Sequence, residues 1–404
     1  METSNVVKTT ADKKKIKANP KVDSKNEKNG DVNVMGNSTN SNKVFYGDIN
    51  EVNSVIWRDY NDFAFLEGKN KQKLEGYDEK YNDFVHYIIK ITHDIWEEKG
   101  IGVIYDTYSN NVHLHLSSQT AVGIQGVISN TLQNLHAFPD RRLIGQNVIF
   151  SPYDNDGLLS SHRIVSTATS LGDSSFGPAT GKKINYRTVV DCAAYKNRIF
   201  EEWLVRDNLW IVKQLGLDPH EVAKKFAKAS KNQEPALQSK FGIGESMEGQ
   251  FYPELYKAKD DSVGEMVLEM ISSIWNRKLI NKVKDFYHDN ASLHYICNTD
   301  LNGFDEIQGM FISLFSSFPN AGIVVERVSC NQRGNQNAWD VAVRLRINGI
   351  HEGYGYFGDP SGKRVSFMIM DHYHIVDNKV KEQWMTFDGI DVLRQIYMGD
   401  EEEA

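Results

Sequence analysis

The chain repeats itself. Ile95-Trp96 returns as Ile274-Trp275 at an offset of 179 residues, and Tyr108 with His115 returns as Tyr287 with His294 at the same offset. Phe138-Pro139 matches Phe318-Pro319 at 180 and Asp191 matches Asp371 at 180. The turn Thr180-Gly181-Lys182 matches Ser361-Gly362-Lys363, and Trp203 and Asp207 match Trp384 and Asp388, all at 181. Matches that keep one order and drift by only two residues mark a duplicated domain. The length, 404 residues, already exceeds one ordinary domain.

Both copies read alike. Phe84, Tyr87, Ile88, Ile91, Ile95 and Trp96 recur at a helical period, so a helix is expected from Asp83 to Lys99. A short second helix ends near Tyr108, a strand follows from Val112 to Leu116, and a third helix runs from Gly123 to Phe138, stopped by Pro139. Strand-like runs then cover Leu143 to Ser151, Leu158 to Ser170, Lys183 to Ala194 and Arg198 to Arg206, with a hairpin turn at Lys196-Asn197. Helices first and an antiparallel meander after imply an α+β class, with helices on one face of a curved sheet. The expected division is a disordered basic tail (1–44), an N-terminal extension (45–82), a first domain (83–216) and a linker with a short helix (217–261). A second domain (262–397) and an acidic tail (398–404) complete it.

The tail carries nine lysines against five acids and no aromatic residue, so it cannot offset the entropy of ordering. It holds +4 of a net charge of −8, which leaves about −12 on the rest and argues against a nucleic-acid partner. The start lacks an apolar signal region, and no run of about 18 apolar residues suggests a membrane span. Three cysteines, Cys192, Cys297 and Cys330, form no disulfide framework, which points to a reducing, cytoplasmic setting. Walker A, HExxH and GxSxG patterns are missing and no GxGxxG is read after a strand, so no cofactor is expected. His113 and His115 share a strand face but lack a third ligand at recognisable spacing, so no metal is expected.

The block Gly177-Pro178-Ala179-Thr180-Gly181-Lys182-Lys183, the strand ending in Asp191, Asn197 through Trp203 to Asp207, and Gln214-Leu215-Gly216 together resemble the SnoaL-like polyketide cyclases. The second copy carries an equivalent in Pro360 through Arg364, Asp371, Val380 through Trp384, Asp388 and Gln395. This resemblance, over roughly 80–216 and 262–397, implies two tandem cone-shaped α+β barrels of the nuclear transport factor 2-like superfamily. They would pair within the chain as a pseudo-dimer, with homo-oligomerisation left open. In those cyclases a His on the penultimate strand and an Asp on the last perform the acid–base work. The resemblance puts Asp191 and Leu204 at these positions in the first copy, and Asp371 and Met385 in the second.

Asp191, in an apolar strand, is either a base raised by burial inside the cone or a structural acid satisfied by Arg187, four residues back. Glu202 would meet Asp191 as a second carboxylate, two such groups dividing acid from base. His115 would assist as proton shuttle. Trp96, Tyr108, His162, Arg187 and Trp203 are candidate substrate contacts, and His294, Asp371, Gln383 and Trp384 form the second copy's candidate pocket. His372 and His374, of opposite parity to Asp371, are expected outside the cone. The functional expectation is a cofactor-independent cyclase, isomerase or lyase acting on a small, largely apolar carbonyl or ester-like molecule. The alternative is a non-catalytic binder or scaffold in which the second copy serves as partner to the first.

Overall fold

A computed structural model describes residues 58–59, 72, 74–153, 157–230, 261–333 and 337–398. The expected basic tail, most of the 45–82 extension, the stretch from 231 to 260 and the acidic end beyond 398 lie outside the described residues.

The first half begins with β1 (Arg58–Asp59), α1 (Phe84–Trp96), α2 (Val103–Thr107), β2 (Tyr108–His115), β3 (Thr120–Val122) and α3 (Ile124–Ala137). A meander follows: β4 (Arg142–Tyr153), β5 (Gly157–Thr169), β6 (Lys183–Tyr195) and β7 (Arg198–Arg206), then α4 (Asn208–Leu215) and α5 (Pro219–Ser230). The second half starts with α6 (Asp261–Met270), running on into a π-helical turn, Ile271–Asn276, and then α7 (Val283–Phe286), β8 (Tyr287–His294), β9 (Asp300–Asn302) and α8 (Gly303–Ser317). Its meander is β10 (Gly322–Gln332), β11 (Ala338–Ile350), β12 (Arg364–Val376) and β13 (Lys379–Phe387), closed by α9 (Gly389–Ile396).

Local chemistry sets these boundaries. Asp83 caps α1 by accepting from the His86 amide at 2.7 Å. Asp207 caps α4 through Trp210, and Asp388 caps α9 through Ile390 and Asp391, so the repeated pair Asp207 and Asp388 are helix caps. Gly216 ends α4 at φ 75°, a left-handed conformation that suits glycine. The β6–β7 hairpin turns with Lys196 at φ 51°, and its counterpart uses Asp377 and Asn378 at 49° and 57°.

The two sheets run β1-β4-β5-β6-β7-β2-β3 and β10-β11-β12-β13-β8-β9, antiparallel except where β2 lies parallel to β7 and β8 to β13. Each half is thus an α+β cone of the expected plan, and the two stand in tandem. The inner face of the first sheet packs on Phe84, Tyr87, Ile88 and Ile91 of α1, and the inner face of the second packs on Trp275, Phe311 and Phe315. The outer faces meet each other. Leu159, Val189, Ala193, Trp203 and Val205 bury against Met368 and Met370 there. Among the described residues no helix is long and apolar enough to cross a membrane.

Candidate active site in the first cone

Strand pairing decides which side chains face inward. Cys192 lies opposite Glu202 and Val190 opposite Leu204, whereas Asp191 lies opposite Trp203. Directly opposed residues share a face. Glu202, Cys192, Leu204, Val190, Thr188 and, on β5, His162 therefore enter the cone, where they line a cavity of about 70 Å³ with Trp96, Tyr108 and Arg141. Asn130, Leu204 and Arg206 line both this cavity and a wider cleft of about 890 Å³, so the cone opens there.

Inside, Tyr108 donates to Glu202 Oε2 at 2.8 Å, and the Cys192 thiol lies 3.8 Å from the same oxygen. Burial raises Glu202 from its ordinary 4.5 to about 7, outweighing those two hydrogen bonds. His162 is buried and pushed down to about 3 by desolvation, so it stands neutral at physiological pH. The cavity thus offers one carboxyl group poised to gain or lose a proton near neutrality, a phenol and a neutral imidazole.

Of the expected site residues, Trp96, Tyr108, His162 and Glu202 converge here. The others do not. Asp191 faces the second half, where Arg327 Nη2 and Arg344 Nη1 each reach its Oδ2 at 2.7 Å. It therefore neither meets Glu202 nor pairs with Arg187. Arg187 shares that outer face and donates to the backbone carbonyls of His294 and Met385, at 2.9 and 3.3 Å. His115 stacks on the outward Trp203, with ring centroids 5.1 Å apart, and bonds Glu201 at 2.8 Å. His294 stacks on Trp384 at 5.2 Å in the same way and bonds Asp300 at 2.7 Å. These five residues, with Trp384, form the interface between the halves rather than a pocket.

That interface repeats itself under exchange of the halves. The Arg344 guanidinium lies 3.8 Å from the Trp203 ring, and Arg163 lies 3.5 Å from the Trp384 ring. Arg163 Nε donates to Gln146 at 3.1 Å, and Arg344 Nε donates to Glu326 at 3.0 Å. His372 sits where Asp191 sits in the first half and bonds Ser161 at 2.9 Å, outside the cone as expected.

The second cone has a different interior. Asp371 does face inward, accepting from Tyr373 at 2.9 Å, and burial raises it to about 7. Gln383, at the position of Glu202, accepts from Tyr287 at 2.6 Å. Tyr287, Phe311, Phe318, Phe367, Tyr373 and Phe387 are fully buried and fill this cone. Asp371 corresponds in the pairing to Val190 rather than Asp191, since Asp371 lies opposite Met385 as Val190 lies opposite Leu204. Cys192, Thr188 and Arg141 were not anticipated in the first site. Their parity on β6, or their place just beyond Pro139, becomes readable only once the register is known.

A SnoaL-like polyketide cyclase family model matches residues 265–396. Among curated proteins none matches the chain. Solved structures resemble it one domain at a time. A SnoaL-like polyketide cyclase from Agrobacterium tumefaciens strain C58 is 18% identical, covering 33% of this chain and 97% of its own, with a TM-score of 0.27. TsrD from Streptomyces laurentii is 14% identical, covering 33% of this chain and 94% of its own, with a TM-score of 0.29. The chain is thus a tandem of two α+β units of one plan, the second of which is similar over residues 265–396 to the SnoaL-like polyketide cyclases.

Proposed function

We propose that the first cone is the active site of a cofactor-independent acid–base enzyme of cyclase, isomerase or lyase type, with Glu202 as the proton-transfer group. The observation that carries this reading is a carboxyl group raised to about 7 on the wall of a cavity that opens to a cleft. A base works best when its pKa lies near the operating pH, where it is ionised yet still takes a proton readily. Ionised Glu202 would remove a proton from the carbon beside a substrate carbonyl. The C–H electron pair moves into the enolate, and protonated Glu202 returns the proton at the same or a neighbouring carbon. One group serves both steps.

Size limits the substrate. A cavity of about 70 Å³ admits the reacting end of a molecule, while whole small-ligand pockets run to roughly 300–1,000 Å³. The remainder of the ligand would lie in the cleft. The second half supports the pocket as partner: Gln383 cannot titrate, aromatic side chains fill its cone, and its outer face braces the sheet that carries Glu202.

The test is hydrogen–deuterium exchange at the α-carbon of small ketones, keto acids and esters in D₂O, followed by NMR. Wild type is expected to accelerate exchange for at least one compound, and Glu202→Gln to lose that acceleration. Equal exchange by both proteins would remove Glu202 from the chemistry.

A further inference from the structure

A cation taken out of water needs an acceptor for its charge, because its desolvation is costly. Arg327 and Arg344 meet that need with Asp191, and Arg346 meets it with Glu326. Arg141 does not. Its side chain is 6% exposed and lines the first cavity, yet Nε and Nη2 both go to one hydroxyl, Ser166 Oγ, at 3.2 and 3.1 Å. Nη1 has no acceptor among the described residues. The guanidinium lies over the Trp96 ring at 4.4 Å and 5.6 Å from the Tyr186 ring.

Arg206 adds a second guanidinium to the same wall, 5.7 Å from Tyr186. It donates to Asn134 at 3.2 Å, and its Nε lacks an acceptor among the described residues. Neither arginine forms an ion pair among the described residues. Glu97, the acid whose field reaches Arg141, is engaged by Arg142 at 2.9 Å and by the Leu143 amide at 2.7 Å.

The second half performs the control. Counting from the matched Phe-Pro pairs, Arg141 corresponds to Ala321, and counting from the matched tryptophans, Arg206 corresponds to Phe387. Both are buried apolar residues in the filled cone. The fold itself therefore does not require a cation at either position, and the two arginines accompany the open cavity.

We propose that the first cone takes an anionic ligand, a carbonyl compound bearing a carboxylate, with the carboxylate held by Arg141 and with Arg206 adding charge where the cavity meets the cleft. The planar guanidinium fork suits a carboxylate, and Nη1 supplies a donor not already in use. This inference rests on the first cone being a ligand site. Its test reads binding at Arg141 without turnover, so it and the role of Glu202 can each fail alone.

The experiment is calorimetric titration of the full chain at pH 7 with 4-oxopentanoate, 4-oxohexanoate and 4-oxoheptanoate, each beside its methyl ester. At least one acid is expected to bind wild type about tenfold or more tighter than its ester, the scale of one charge-assisted hydrogen bond. Arg141→Met should bring acid and ester to within about twofold by weakening the acid. Should that variant fail to fold by circular dichroism, Arg206→Met carries the same test, with a reduced acid preference expected. The proposal is overturned if none of the acids binds, if acid and ester bind wild type equally, or if the substituted protein keeps the full preference.

Discussion

Tyr108 and Glu202, 94 positions apart, meet inside the first cone through a 2.8 Å hydrogen bond from phenol to carboxyl oxygen. The second half builds the same contact from Tyr287 and Gln383 at 2.6 Å. One duplicated framework thus holds a titrating group in one copy and its neutral isostere in the other, which makes Glu202→Gln a change the fold already accommodates.

The first prediction concerns pH. Burial raises Glu202 from 4.5 to about 7, so between these values the folded chain binds more protons than the unfolded one. Stability contributed by this group is full below the unfolded value and is lost as pH rises through the folded value, by about 3 kcal/mol at most. Glu202→Gln removes that loss. Urea unfolding should find the variant more stable than wild type at pH 8, with the difference vanishing near pH 4.

Asp191 is the acid between the halves. Asp191→Asn leaves Arg327 and Arg344 without their shared carboxylate, and breaking a buried pair in this way costs about 3–5 kcal/mol. A large drop in the urea midpoint is expected. A change within about 0.5 kcal/mol, as for an ordinary surface substitution, would contradict the interface role.

The crossed cation–π contacts should couple across the chain. A double-mutant cycle on Arg163→Met and Trp384→Leu is expected to return an interaction of about 0.5–2 kcal/mol. Strict additivity would mean that the stacking contributes nothing to holding the halves together.

Cavity filling gives a fourth test. Cys192 occupies the position of Tyr373, one of the side chains that fill the second cone. Cys192→Tyr should abolish ligand binding in the first cone at a stability cost of about 1–3 kcal/mol, measured by calorimetry and thermal unfolding. Retained binding would place the ligand elsewhere.

The duplication, the helix ended by Pro139, the meander and the Lys196-Asn197 turn were all legible in the sequence, because each rests on a local signal. Trp96, Tyr108, His162 and Glu202 were singled out in the sequence by residue type with their facing left open, and they line the cavity. The face of Asp191 was not legible. A strand buried on one side alternates apolar and polar residues, but β6, which carries Asp191, is buried on both faces from Asp191 to Ala194 because its outer face meets the second half. With both faces covered, alternation carries no parity. A register shift at Ala193/Ala194 then separates the hairpin turn from the site, and a slip of one residue exchanges the faces. The offset between copies also grows from 179 at β2 to 181 at β7, so pairing Asp191 with Asp371 at 180 joined residues on opposite faces.

The most direct measurement compares α-proton exchange by wild type, Glu202→Gln and Asp191→Asn on one responsive ketone, with rates expressed per folded molecule. Glu202→Gln should fall by roughly 10²–10⁴-fold, the range of general acid–base catalysis, while Asp191→Asn keeps the wild-type rate. The opposite pattern, with exchange intact in Glu202→Gln and lost in Asp191→Asn, would contradict the assignment of the chemistry to the first cone.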